Sequence, residues 1–193
     1  APINVSSGSA GKGVSGSFDL GVLWKPTKLE LFDVDLNEKF ALGVNLQNVG
    51  PKVTYYQESD PLPTTLRLGT ALNLVRDEFN DLTFSIDMSK LLVRRDKDVS
   101  DPIPLSFITS WQKGGVDVSM GAEYWYEKIV ALRVGYFTEP ATAGNRNFMT
   151  FGAGIRYDIF NLDFSFINTI EDNHPLANTM RFSMVIDWAN SGK

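Results

Sequence analysis

Histidine and cysteine, the side chains most often used for nucleophilic or metal chemistry, are almost missing from this 193-residue sequence, which has one histidine, His174, and no cysteine. The absence of cysteine excludes disulfide staples, thiolate metal sites and cysteine nucleophiles. A Ser-His-Asp triad or an imidazole-bound metal would have to run through His174, which sits beside Pro175 and reads as a loop residue. Asp33-Val-Asp35-Leu-Asn37 opens like a calcium loop, but Glu38 stands where the turn glycine belongs and Val44 where the bidentate glutamate belongs. It reads as a polar turn. Residues 8–13, around Lys12, have the flavour of a phosphate loop, yet Ser6 replaces its first glycine and no serine or threonine follows the lysine. Asp117 and Glu123 have acid/base chemistry available, but structural pairing with arginine is the commoner use of such groups. The residues therefore point to no enzyme activity, no metal and no cofactor.

The elements that carry these side chains are strands. From residue 14 to 24 the even positions read Val14, Gly16, Phe18, Leu20, Val22 and Trp24, against Ser15, Ser17, Asp19 and Gly21, which is strict period two. The alternation returns with Phe40 to Leu46, Leu66 to Leu74, Leu82 to Met88, Val116 to Tyr126, Val130 to Tyr136, Met149 to Ile159, Leu162 to Phe166 and Met180 to Trp188. About nine strands result, several of ten residues or more, and no helical period competes with them. Residues 101–113, with Ile103, Leu105, Phe107, Ile108 and Trp111, read either as a short helix or as a loop packed back on the sheet.

Two all-β readings compete. A soluble sandwich also alternates, but its strands average five or six residues, whereas a strand tilted across a bilayer needs about 9–11. The non-apolar face here is rich in Gly, Ala and Ser, as a crowded lumen requires. Its charges are Arg67, Arg133, Arg156, Arg181, Asp87, Asp117, Glu123, Asp163 and Asp187, with lysines kept to strand ends and loops. Turning the four arginines toward lipid would cost about 2–4 kcal/mol each near the midplane. They are expected to face inward, where Arg pairs bidentately with carboxylates. Aromatics such as Trp24, Tyr124, Trp125, Tyr126, Tyr136, Phe137 and Trp188 gather near strand ends, as rings at a membrane interface do. No run approaches the roughly 18 apolar residues of a membrane helix. The expected fold is an all-β antiparallel transmembrane β-barrel in the bacterial outer membrane, in contact with its lipid. A net charge of −5, with scattered basic residues, argues against a nucleic-acid partner.

Connection lengths support this. Residues 76–81, 126–129 and 158–162 are short, while 50–64, 90–115, 138–147 and 168–178 are long, the alternation of periplasmic turns with outer loops. Residues 26–39 break the pattern, being long on the short side. Bacterial single-chain barrels have an even number of strands. With nine, and with a start at Ala1-Pro2-Ile3, residues 1–193 are expected to form a single domain that is the C-terminal part of a longer barrel.

Three segments together carry a resemblance: Asn48-Val-Gly-Pro51 leading to Asp60-Pro-Leu-Pro-Thr-Thr-Leu-Arg-Leu-Gly69, Gly121-Ala-Glu-Tyr-Trp-Tyr126 leading to Leu132-Arg-Val-Gly-Tyr136, and Pro175-Leu-Ala-Asn-Thr-Met-Arg-Phe182. In this order the sequence, from about Val14 onward, resembles the C-terminal portion of the PorV (LptO) family of type IX secretion barrels of Bacteroidota, within the FadL-like group. The resemblance implies a fourteen-stranded barrel, of which about five strands would be absent here. It implies as partners the type IX translocon barrel protein, cargo C-terminal signal domains and the sortase-like surface attachment complex, with the barrel receiving cargo and shuttling it onward. Tyr55, Tyr56, Asp60, Pro61, Leu62 and Pro63, in an outer loop, are the candidate cargo- or partner-binding residues. Alternatively, Pro61 and Pro63 merely stiffen a loop returning to the wall. Two other functions stay open: a FadL-like channel for hydrophobic small molecules, and a PorQ-like step of the same system.

Overall fold

Period-two alternation gives each strand two unlike faces, and in the computed structural model these strands align so that the faces match across the sheet. The structure describes residues 14–55, 58–93, 95–96, 99–101, 105–112, 114–170 and 177–188. The chain runs through β1 (Phe18–Trp24), a small ribbon of β2 (Glu30–Leu31) and β3 (Val34–Asp35), and then β4 (Phe40–Val49). A second ribbon, β5 (Val53–Tyr55) with β6 (Glu58–Asp60), leads into β7 (Thr65–Arg76) and β8 (Asn80–Leu91). The next connection carries β9 (Arg95–Asp96), β10 (Val99–Ser100) and the helix α1 (Leu105–Thr109). Five strands complete the chain: β11 (Asp117–Tyr126), β12 (Val130–Thr138), β13 (Asn147–Tyr157), β14 (Phe160–Thr169) and β15 (Thr179–Ile186). Nine of them, β1, β4, β7, β8 and β11 to β15, form one antiparallel sheet in that spatial order. This is the up-and-down wall of a β-barrel, not closed among the described residues, since β1 and β15 each pair on one side only.

The register keeps one kind of side chain on each face. Phe40, Leu72, Phe84, Ala122, Val134, Phe151, Phe166 and Met180 lie directly opposite one another from β4 to β15. One step along, on the other face, the same eight strands place Ala41, Ala71, Ser85, Gly121, Gly135, Thr150, Ile167 and Thr179 in a row. A one-residue slip would exchange the two rows, so both faces hold the register.

Burial is inverted relative to a water-soluble sheet. Leu132 on the apolar face is 56% exposed, whereas its neighbour Ala131 on the small-residue face is fully buried. Ile155, Leu162, Phe182 and Met184 on the apolar face are likewise exposed. Among the described residues the only buried hydrophobic side chains are Leu92 and Ala131.

Turns and bulges depart from strict alternation where the chain needs them. The β11–β12 hairpin closes on Glu127 and Lys128, both at positive φ (50° and 58°), the twist that a two-residue turn requires although neither residue favours it. Asn48 adopts φ 56° and its N–H donates to Asp19 Oδ1 at 2.7 Å, where β1 and β4 fall out of step. The alternation put Leu74 on the apolar face with Leu72. Instead a bulge follows Asn73, and Val75 takes the place opposite Leu82, because the Asn73 amide is held on the polar side by Asp81 Oδ1 and Thr83 Oγ1. The long connection at residues 26–39 holds the β2–β3 ribbon, and Asp35 and Asn37 accept backbone N–H bonds from Asn37 and Leu29, the job of a polar turn. Residues 8–13 and His174 lie outside the described residues. Of the two readings of residues 101–113, the helix is present as α1.

Ala131→Leu should destabilise the protein by about 1–3 kcal/mol through overpacking, while Leu132→Ala next to it should be far milder in detergent; urea unfolding of the two variants measures the difference.

Candidate functional site

The polar face carries its charge in two belts separated by the row of small residues. In the first belt, Arg133 of β12 donates from Nε to Glu123 Oε2 and from Nη1 to Asp163 Oδ1, both at 2.5 Å. Glu123 and Asp163 belong to β11 and β14, so one guanidinium ties together strands on either side of it. Glycine makes this possible: a Cβ on Gly154 would lie 2.6 Å from Asp163 Oδ1 and 3.1 Å from Arg133 Nη1. Arg156 stacks over the Trp125 ring at 4.6 Å and donates to Asn161 Oδ1 at 2.9 Å. Arg133 approaches the same ring at 5.4 Å. Arg76 pairs with Asp81 at 3.4 Å beside them.

The second belt lies toward the long-loop end. Arg146 donates to both oxygens of Glu139, at 2.5 and 2.8 Å, and its guanidinium sits 5.8 Å from Phe137, which stacks on Phe148 at 4.8 Å. Arg67, Asp87, Asp117 and Arg146 border a recess of about 540 Å³. The bidentate hydrogen bonds from Arg146 hold the buried Glu139 carboxyl below its ordinary value near 4.5.

Arg67, Arg133, Arg156 and Arg181 all occupy polar-face positions, as alternation required. Two aromatics read as interface rings do not: Trp125 and Phe137 also lie on the polar face, opposite Ala131 and Ser119, as platforms for arginine. The Glu139–Arg146 pair was missed because both residues fell in a loop. The available signal was hairpin symmetry, since they stand one step beyond the pair Thr138 and Asn147.

The loop candidates sit on the β5–β6 ribbon and its return to the wall. Tyr55 pairs in the ladder with Glu58, and Val53 with Asp60; Tyr56 lies outside the described residues. Pro61 and Leu62 are half-buried and Pro63 is exposed. The Pro63 carbonyl accepts from Asn48 Nδ2 and Thr65 Oγ1, and buried Thr64 donates from Oγ1 to the Asn48 carbonyl. The return is thus fastened to β4 through Asn48. Asp33, Asp35 and Glu38 hold no metal-binding cluster, and none of three or more His, Cys, Asp or Glu occurs among the described residues.

A family model described as type IX secretion system protein PorV matches residues 3–98. Over these residues the chain is similar to the PorV family. The family is an outer-membrane component of the type IX secretion system. The matched stretch contains β1 through β8, the segment from Asn48 to Gly69 and all six loop candidates. The resemblance at residues 121–136 and 175–182 lies beyond it. No curated protein matches the sequence.

Two outcomes follow from the belts. Arg133→Met should cost about 1–2 kcal/mol, discounted from a fully buried pair because its partners are partly exposed, and adding Glu123→Gln and Asp163→Asn should recover part of the loss in urea unfolding. A carboxylate whose folded pKa is lowered stabilises above its unfolded value and loses that contribution as pH falls through the folded one, so the stability gap between wild type and Glu139→Gln should hold from about pH 7 to 5 and shrink below about 4.5.

Proposed function

We propose that this chain forms a multi-pass wall in the outer membrane, receives cargo C-terminal signal domains at the type IX translocon barrel and passes them to the sortase-like surface attachment complex. The family match over residues 3–98 carries this reading. The inverted burial supports the membrane placement, because a sheet that exposes Leu, Ile, Phe and Met along its length needs lipid on that side. Among the described residues the outer edges of β1 and β15 have no ladder partner, which supports a wall that is one part of a closed barrel, since an open strand edge in hydrocarbon leaves backbone groups unsatisfied. The short turns after β7, β11 and β13 would face the periplasm, and the loops bearing β5, β6 and α1 the exterior.

A FadL-like channel for hydrophobic molecules calls for an apolar pocket or a lateral opening in the wall. A recess of about 480 Å³ lined by Ala153, Ile155, Leu162, Phe164, Phe182 and Met184 keeps that reading in play, whereas the recess bordered by Arg67, Asp87, Asp117 and Arg146 favours a structural or polar role for the interior. On the carrier reading cargo recognition belongs to the outer loops, with Tyr55, Tyr56 and Asp60 to Pro63 as the candidate contacts.

An immobilised cargo signal domain should retain the detergent-solubilised protein, and Tyr55→Ala with Tyr56→Ala should weaken retention about tenfold or more, as loss of hot-spot aromatics does. Absence of retention for both wild type and variant would overturn the carrier reading.

A further inference from the structure

At the long-loop end of the wall β8 carries a buried lysine, Lys90. A buried ammonium is tolerated only where acceptors surround it. The Lys90 ammonium donates to the carbonyls of Gly114 and Gly115, at 3.0 and 3.1 Å, and lies 5.7 Å from the centroid of the Trp111 ring. These three residues close the connection that carries α1, so one side chain of β8 holds the return of that connection to β11. Gly114 turns there with φ 87°, a conformation that suits glycine.

The next long connection, between β12 and β13, is locked from within. Glu139 is buried and accepts both hydrogen bonds of Arg146, and a Cβ on Gly144 would lie 2.6 Å from Glu139 Oε2. The N–H groups of Ala143 and Asn145 donate to the Pro140 carbonyl at 2.9 and 3.1 Å. The two connections meet at Gly115 and Pro140, where the Pro140 ring already fills the space that a Cβ on Gly115 would take. They also share a recess of about 450 Å³, lined by Lys90, Gly114 and Gly115, by Glu139 and Arg146, and by Arg67 and Asp117 of the polar face. Lifting the first connection takes both acceptors from the Lys90 ammonium, and lifting the second uncovers Gly115. Neither opens without loosening the other.

We propose that these two connections are a single clasp, locked by Lys90, that opens and closes as one cooperative unit. The contacts form an unbroken series from Trp111 through Lys90, Gly114 and Gly115 to Pro140 and the Glu139–Arg146 pair. A partner docking on either connection would meet a preformed surface with little ordering left to do, and its effect would reach the other connection. The clasp rests on these loop contacts alone and is independent of the cargo reading.

Amide hydrogen exchange of the full chain in detergent micelles, read residue by residue, tests this. The reporters of the first connection are the Ser110, Trp111 and Gln112 amides, bonded to the Ser106, Ile108 and Thr109 carbonyls, and those of the second are the Ala143 and Asn145 amides. The Glu127 amide, bonded to the Phe79 carbonyl at the short-turn end, is the control. Lys90→Met keeps an unbranched stem and removes the donor. It should speed both sets of reporters by one common factor of about ten or more and leave Glu127 unchanged. Glu139→Gln should speed Ser110 to Gln112 as well as its own loop, and Gly115→Ala should speed both sets. Faster exchange confined to the connection that carries the change would overturn the clasp and leave two independent loops. So would Lys90→Met without effect on either set, or faster exchange at Glu127 as well, which would mean that the wall itself had loosened.

Discussion

Each strand of the wall satisfies its backbone through its neighbours, and this leaves the side chains free to invert the usual distribution of polarity. In a soluble sheet the apolar face would seek a second layer to cover it. Here nine strands pair in sequence order with no such layer over most of that face, and on the other side Asn73, Ala131 and Gly154 are buried. The backbone ladder therefore carries the fold, and the side chains decide which solvent each face meets. On the proposed placement in an outer membrane, the natural solvent for the apolar face is lipid.

The polar face obeys a different constraint, crowding. Asp163 and Arg133 fit beside one another because the adjoining strand offers Gly154 there. Gly69 does the same for Asp87, since a Cβ there would collide with the Asp87 carboxylate. Glycine in a strand weakens it locally, but the arginine it admits ties β11 to β14 across the two strands between them. The small-residue row between the belts keeps the interior from overfilling. These belts are cross-braces of the wall, and the rigidity they give is what a platform for outer loops requires.

At the rim, loops are tied down by a few polar contacts. Pro61 to Pro63 are strapped to β4 through Asn48, Thr64 and Thr65, and the α1 segment is fastened through Lys90. Both devices use side chains at the ends of the regular strands, Asn48 of β4, Thr65 of β7 and Lys90 of β8.

Period two along the chain was enough to determine the strand content, the two faces and the inward placement of Arg67, Arg133, Arg156 and Arg181, because pleating forces successive side chains to opposite sides whatever the partners are. It also located the turns, since glycine-poor hairpins still interrupt the alternation. Tertiary structure alone decided the rest. Which carboxylates Arg133 meets depends on inter-strand register, and the bulge after Asn73 moved Val75 rather than Leu74 into line with Leu82. Trp125 and Phe137 looked like interface aromatics until strand parity and stacking placed them under arginines. Glu139 and Arg146 were invisible as a pair until the hairpin was closed. The burial of Lys90 could not be read at all, because it depends on a loop more than twenty residues away folding back over the rim. Local alternation is a property of the chain, whereas pairing between distant segments is a property of the folded sheet.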